Sequence, residues 1–500
     1  MDTKALRQKI LDLAIRGKLV PQDPNDEPAS VLLERICEQK QQMVKEGKLK
    51  KKDIKNESVI FVGEDNLHYE KFADGTVKCI ENEIPFEVPT NWAWARLRNI
   101  CMMAAGKAKP ANQIKATPFE GGFPCFGGNG IRGYVDEYNQ EGTFSIIGRQ
   151  GALCGNINTA SGKFYATEHA VVTTLFSGID FNWSNYILEA MNLNKYATGA
   201  AQPGLSVANV LNVFVPVPPT QEQERIGKKI LESIKIINII KQEKLNLQTI
   251  VSNTKAKILD LAIRGKLVPQ NSTDEPASAL LERIRQEKEE LIKQGKIKRD
   301  KKESIIFKGE DNSYYEKIDT TIEKINDEIP FELPVNWMWC RFSEVIELFS
   351  GQDLTPDRYS DIPQGIPYLT GASNLERGHV IINRWTSAAT THATIGDLLL
   401  IVKGSGVGKM AICNIEDAHI ARQIMALRCR NGISQEYLQI VVSAFLTEII
   451  DQANGIIPGI RREVVLNTLF PLPPSSEQLR ISAKVKRITD ELQTIEKCLS

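Results

Sequence analysis

One stretch of this chain occurs twice. Lys9 to Gln22 reads KILDLAIRGKLVPQ, and Lys257 to Gln270 repeats all fourteen residues at an offset of 248. The match continues through DEPAS (Asp26 to Ser30, Asp274 to Ser278) and LLERI (Leu32 to Ile36, Leu280 to Ile284). It resumes at GEDN (Gly63, Gly309), at NEIPFEVP against DEIPFELP (Asn82, Asp327), and at NWAW against NWMW (Asn91, Asn336). Similarity then lapses. It returns at NVFVPVPPTQEQERI (Asn212 to Ile226) against NTLFPLPPSSEQLRI (Asn467 to Ile481), at an offset of 255. Such a chain folds as two copies of one module, each a shared frame around a private insert. The inserts cover about residues 95–203 and 340–458. Two long repeats are too few for a solenoid.

After PVPP, Gln221 to Gly265 contains no proline and carries apolar residues at helical spacing: Ile226, Ile230, Ile234, Ile237, then Ile250, Ile258 and Leu261. Thr220 with Gln223 suggests a capping box, and Gly265 a stop. A helix of about 44 residues is about 66 Å long. The second copy begins at Ser475, and the sequence reaches Ser500, which corresponds to position 245. Met1 corresponds to position 249. Joined end to end, the terminal segments rebuild the central helix with three positions missing. This predicts a cyclic pseudo-two-fold repeat with a pair of long antiparallel helices. Ile226, Ile230, Ile237, Ile258 and Leu261 are expected to form a partner-binding stripe. Loosely linked tandem halves are the competing arrangement, which leaves the complementary ends unexplained.

Elsewhere in the frame, Val31 to Glu46 reads as a helix stopped by Gly47. The basic runs KLKKKDIK (from Lys48) and KIKRDKK (from Lys296) read chiefly as solvated linkers. Within the inserts, Phe144 to Ile147, Ala170 to Leu175 and Asp397 to Val402 read as strands, and Trp183 to Asn194 and Ser434 to Ala453 as helices. Trp92, Trp94, Trp337 and Trp339 recur in the frame and are expected in the core.

Composition narrows the function. Lys+Arg and Asp+Glu are both 62, so any surface for nucleic acid is a local patch. Apolar runs such as Ile395 to Val402 are far too short to span a membrane. The N-terminal segment is charged throughout and lacks the apolar region of a signal peptide, so a cytoplasmic protein is expected. The nine cysteines include no C-x-x-C pair, and the five histidines have no zinc-site spacing. Reduced thiols and no metal site are expected.

Motifs for catalysis are weak. Lys403 to Lys409 (KGSGVGK) is one residue short of a phosphate loop, and Met410 stands where a Ser or Thr would hold magnesium. A glycine turn bearing two lysines can still hold a DNA phosphate. Gly128 to Gly133 (GNGIRG) matches G-x-G-x-x-G without a following helix and reads as a hairpin with Asn129 and Arg132 at its tip. There is no G-x-S-x-G, no H-E-x-x-H and no Asn-Pro-Pro-aromatic segment. No catalytic residue is assigned.

The inserts instead carry long polar side chains beside glycine turns. In the first these are Lys107, Lys109, Asn129, Arg132, Tyr134, Arg149, Gln150, Lys163 and Gln202. In the second they are Gln352, Arg358, Tyr359, Asn374, Arg377, Lys403, Ser405, Lys409, Arg422, Gln423, Arg461 and Arg462. Arg reads guanine and Asn or Gln reads adenine in a major groove, while Lys and Tyr anchor phosphates. These are the candidate DNA-binding residues.

The duplicated KILDLAIRGKLVPQ–DEPAS–LLERI, the PLPP–EQ–RI lead into each long helix and the two unlike inserts resemble the specificity subunit of type I restriction–modification systems (the HsdS family). PCFGGNGIRGYVD, IGRQGALCG and TGAAQPGLS resemble one kind of target recognition domain. IPYLTGASNLERGHV, VKGSGVGK and ARQI resemble another. The resemblance covers nearly the whole chain. It implies an α+β fold, with two mixed α/β target recognition domains separated by the long helices. The expected segments are 1–17 (half of the distal helix), 18–83 (connector), 84–218 (first recognition domain), 219–265 (central helix), 266–328 (connector), 329–473 (second recognition domain) and 474–500 (other half of the distal helix). It implies a non-catalytic subunit whose recognition domains each read half of a bipartite asymmetric site in double-stranded DNA. Two methyltransferase subunits would dock along the spacer, and restriction subunits would join the full complex. No cofactor is expected in this chain: S-adenosylmethionine, ATP and magnesium belong to the implied partners. The alternatives are a protein scaffold, a stand-alone DNA-binding protein and an enzyme acting on DNA by itself.

Overall fold

The computed structural model describes all residues except 1, 52–53, 152, 200–202, 298, 300–302, 377, 405, 453–458 and 500. The chain divides into two compact units, residues 1–244 and 245–500. Both contain helix and sheet. One helix, Thr220–Ile263, is 44 residues long and contributes its first part to one unit and its last part to the other. It matches the length expected from the proline-free stretch. Among the described residues no helix is long and apolar enough to cross a membrane.

In the first unit the helix Thr3–Ile15 buries Leu11 and Ala14 in a core with Ile226 and Ile230 of the long helix. The helix Ala29–Lys45 buries Leu32 and Ile36, four residues apart on one face, and one turn further on Lys40. Lys40 is compensated: its Nζ donates to Glu57 Oε1 at 2.9 Å and to the Arg98 carbonyl at 2.6 Å. Burial pushes its pKa down despite the Glu57 carboxylate. Trp92 and Trp94 are buried as expected.

The second unit repeats this frame. The helix Ala277–Lys293 buries Leu280, Leu281 and Ile284. Trp337 and Trp339 are buried. The helix Ser475–Leu499 packs on the end of the long helix, with Ile481 and Val485 in one core with Ile258. It runs antiparallel to it. Glu477 bonds to Gln270 just beyond the long helix, whereas Glu496 pairs with Lys255 fifteen residues earlier (2.7 Å). Gly17 and Gly265 end the equivalent helices at φ of +64° and +63°. A Cβ at either would strike Pro89 or Pro334 at 2.5 Å, so glycine is required twice over.

The expected capping box is not what the structure holds. Thr220 Oγ1 donates to the Gly178 carbonyl at 3.0 Å. Gln223 donates to the Pro218 carbonyl and accepts the Asp180 N–H, both at 2.9 Å. Ser475 and Gln478 make the equivalent bonds to Gly432, Pro473 and Ser434. The P-P-[TS]-x-x-Q pattern therefore clamps the insert's closing segment to the start of the helix. The partner stripe is corrected as well. Ile226 and Ile230 lie in the first core and Ile258 in the second; Ile237 is also buried, and Leu261 is half-buried. Apolar burial inside the chain produced this periodicity.

Each insert is built on a sheet. In the first, strands run in the order Cys101–Ala105, Ala170–Leu175, Gln140–Gly148, Ile157–Ala166, Phe123–Gly127, Gly130–Val135. In the second, one sheet has the order Ile346–Ser350, Ile424–Cys429, Leu398–Ile401, Met410–Ile412. Another places Ile366–Leu369 beside Asp417–Ile420. The long strand Ile157–Ala166 of the first insert thus corresponds to two shorter strands in the second.

Candidate nucleic-acid interface

The two inserts diverge in sequence, yet their backbones make the same hydrogen bonds at one edge. Gly148 N–H donates to the Asn156 carbonyl at 2.9 Å, and Gly155 N–H donates back to Gly148 at 2.8 Å. Ile401 and Lys409, and Gly408 and Ile401, repeat these bonds at 2.8 and 2.9 Å. The loop Gln150–Asn156 is therefore the counterpart of Lys403–Lys409. Both need glycine at the same two places. Gly151 and Gly404 have φ of +88° and +89°, and Gly155 and Gly408 have +83° and +89°. The near-miss to a phosphate loop is explained: Lys403–Lys409 is a glycine-bent strand connection leading into Met410–Ile412.

Two further segments close on this loop. One is the turn after Ile157–Ala166 and Asp417–Ile420. Thr167 N–H bonds to the Phe126 carbonyl at 3.0 Å and Arg149 N–H to the His169 carbonyl at 2.9 Å. Ala421 N–H to Leu369 and Val402 N–H to Gln423 are the equivalents, at 2.9 and 2.8 Å. The other is the segment at Gly204 and Gly459. Leu205 N–H donates to Arg149 at 2.8 Å, and Ile460 N–H donates to Val402 at 2.9 Å. Gly128 and Gly371, each two residues after the bonded Phe126 and Leu369, complete the edge. A Cβ on Gly128 would lie 3.3 Å from the His169 carbonyl, and one on Gly371 would strike the Gln423 side chain.

This assembly sorts the candidate residues. In the first unit it gathers Asn129, Arg149 and Gln150. Asn129 and Arg132 are exposed on the expected hairpin, whose Gly130 supplies the positive φ of +94°. Lys107 is exposed beside the turn, with its N–H on the Ala166 carbonyl at 3.0 Å. Lys163 is exposed, its Nζ 4.7 Å from the Tyr138 ring centroid. Tyr134 is half-buried in a strand pairing with Lys115. Lys109 does not stand free. Its Nζ donates to Glu137 Oε1 at 2.8 Å, and that bond raises its pKa. Gln202 lies outside the described residues.

In the second unit Lys403, Lys409 and Gln423 are exposed on the assembly, while Gln352 and Arg422 flank it. Arg422 is tied to Asp353, Nε to Oδ2 at 2.7 Å. Arg461 is exposed directly after Ile460, whose N–H closes on the assembly; Arg358 is exposed, and Tyr359 is half-buried 5.2 Å from Tyr368. Asn374 is a correction. It is fully buried; its Oδ1 accepts the Thr370 N–H at 2.8 Å and its Nδ2 donates to Ile381 at 2.8 Å and Asn383 at 3.0 Å. It holds a turn and has nothing left for a base. Arg462 is exposed and donates to the Leu348 carbonyl through Nη1. Arg377 and Ser405 lie outside the described residues. The sequence reading missed Glu168 and His169, which occupy the turn equivalent to Arg422–Gln423. Their signal was positional and emerges only once the two inserts are aligned by backbone bonding.

Among the described residues no group of three His, Cys, Asp or Glu is placed to hold a metal ion. All nine cysteines are free.

The duplicated frame, the long shared helix and the two glycine-bent edges make one architecture that occurs twice in the chain. Residues 89–249 match the type I restriction modification DNA specificity domain. The EcoAI specificity subunit of Escherichia coli is 28% identical over 567 residues, covering 97% of this chain and 88% of that one. The EcoprrI specificity subunit, also from E. coli, is 45% identical over 151 residues, or 30% of this chain and 36% of its own. The HsdS subunit of Thermoanaerobacter tengcongensis shares the fold at a TM-score of 0.50 and 17% identity, covering 83% of this chain and 93% of that one. A chain from a study of complex assembly in a type I restriction–modification system gives 0.53 at 17% identity, with 83% and 94% covered. Over nearly its whole length the chain is similar to specificity subunits of type I restriction enzymes.

Proposed function

We propose that each insert reads one half of a bipartite, asymmetric DNA site. The observation that carries this reading is the paired edge. Its backbone is the same in both units, while the side chains around it are different. A shared backbone serves the sequence-independent phosphate contacts, and unlike side chains serve unlike base pairs. The chain itself acts without catalysis or a bound cofactor. S-adenosylmethionine, ATP and magnesium are used by partner methyltransferase and restriction subunits.

The methyltransferase subunits dock on the frame, because the frame is what occurs twice. Its three-stranded sheets each carry an aromatic pair with an exposed phenylalanine on a half-buried tyrosine, Phe61–Tyr69 and Phe307–Tyr315, both with ring centroids 5.9 Å apart. A partner fitting one fits the other, which gives two copies per chain. Exposed apolar residues in large patches mark such contacts.

The helix Thr220–Ile263 sets the half-site gap. Four residues inserted after the exposed Ile239 lengthen it by about 6 Å, or about two base pairs. The gap in the recognised site should change while both half-sites stay the same. An unchanged gap in an active complex would remove the helix as the ruler.

A further inference from the structure

Among the described residues, several buried polar atoms lack a partner, and some fall together. Thr167 Oγ1, Glu168 Oε2 and His169 Nδ1 belong to three consecutive residues of the turn that closes on the first glycine loop. Glu168 and His169 meet only through Oε1 and Nε2, 3.2 Å apart. Their side chains are each 38% exposed, so one side of the pair faces solvent while the other holds an unmet acceptor and an unmet ring nitrogen. Each unmet group costs about as much as a lost hydrogen bond, and a partner that draws the side chains outward relieves that cost.

The equivalent turn in the second unit is Arg422–Gln423, and both residues are exposed. The bonds that fix the two turns are the same in kind. Ala170 N–H to Thr167 is 2.9 Å and Ile424 N–H to Ala421 is 2.8 Å. Backbone shape is thus held constant while the two tip residues change from Glu-His to Arg-Gln.

We propose that this two-residue turn determines base identity: Glu168 with His169 in the first half-site, and Gln423, flanked by the Asp353-anchored Arg422, in the second. The inference rests on the DNA-reading function proposed above. A carboxylate on this edge is unfavourable beside phosphates. In the major groove its base partner is an exocyclic amino group, on cytosine N4 or adenine N6. Glu168 therefore selects an amino-bearing base and rejects a guanine or thymine edge at that position. Gln423 is free to make the two-bond contact with adenine N6 and N7.

The test compares the parent chain with Glu168→Gln, the double variant Glu168→Arg/His169→Gln, and Gln423→Ala. Each is co-expressed with its methyltransferase partner in a methylation-free host, and modified adenines are mapped. The expected result for Glu168→Gln is relaxation at one base of one half-site, with discrimination falling by roughly 5- to 150-fold. The double variant changes the preferred base there, and Gln423→Ala relaxes only the other half-site. The gap stays fixed throughout. A structural defect lowers methylation of every site without altering the motif. Motifs identical to the parent's in active complexes would overturn the proposal. A parent without any two-part motif would instead overturn the DNA-reading function on which it rests.

Discussion

Trp92 Nε1 donates to Glu222 Oε2 at 2.9 Å across 130 residues of sequence, and Trp337 makes the same bond to Glu477 across 140. Each tryptophan precedes an insert and each glutamate follows it. The second carboxylate oxygen accepts Gln22 Nε2 at 2.7 Å or Gln270 Nε2 at 2.5 Å. One carboxylate therefore ties the repeated G-K-L-V-P-Q segment to both ends of the insert. Neighbouring ion pairs, Arg225 with Asp26 and Arg480 with Asp274, reinforce the junction.

Glu222→Gln replaces one acceptor with an amide N–H₂ that faces a donor. We expect the first unit to lose about 1–3 kcal/mol, read as a fall in its unfolding midpoint. Glu477→Gln should cost the second unit a similar amount. Burial raises both carboxyl pKa values against their hydrogen bonds. The folded chain thus holds these protons more tightly than the unfolded one. Their contribution is present below the ordinary glutamate range and is lost as pH rises through the raised native value. The gap between parent and variant should narrow as pH rises from the ordinary glutamate range through the raised native value. A widening gap would reverse this assignment.

Thiol reactivity should follow burial. Cys79 and Cys498 are exposed and should be alkylated quickly in the folded protein. Cys101, fully buried, is pushed up to about 12 and should react only on unfolding. Mass spectrometry after brief labelling distinguishes them. Rapid labelling of Cys101 would contradict the packing.

Lys403 is exposed at the glycine loop, with no ion-pair partner among the described residues. Lys403→Ala should weaken DNA binding and reduce the log–log salt slope by about 0.9, the share of one phosphate contact. Arg149→Ala should do the same in the first unit. An unchanged slope in both would place the phosphates elsewhere.

Phe61→Asp should remove one methyltransferase copy from the assembled complex, and Phe307→Asp the other. Native mass measurement should show one partner per chain in place of two. Two retained partners in each variant would move the docking surface off these sheets.

The frame was legible because it is written twice. The long helix, the buried tryptophans and the strand–turn character of both glycine motifs follow from repetition, proline placement and glycine spacing. The partner stripe was misread because burial within a chain and burial against a partner produce the same isoleucine spacing. Asn374 was misread because its type suits a base edge, whereas only its five hydrogen-bond contacts reveal that it is saturated. Glu168 and His169 were missed because nothing in their sequence marks the turn. The equivalence of Glu168–His169 with Arg422–Gln423 depends on backbone bonds between segments distant in the chain.

The most direct measurement is co-expression of this chain with its methyltransferase partner in a methylation-free host, followed by genome-wide mapping of modified adenines. Two unlike half-sites separated by one fixed gap are the predicted result. Modification of scattered adenines, or of one continuous site, by a soluble and associated complex would contradict recognition by two separate inserts.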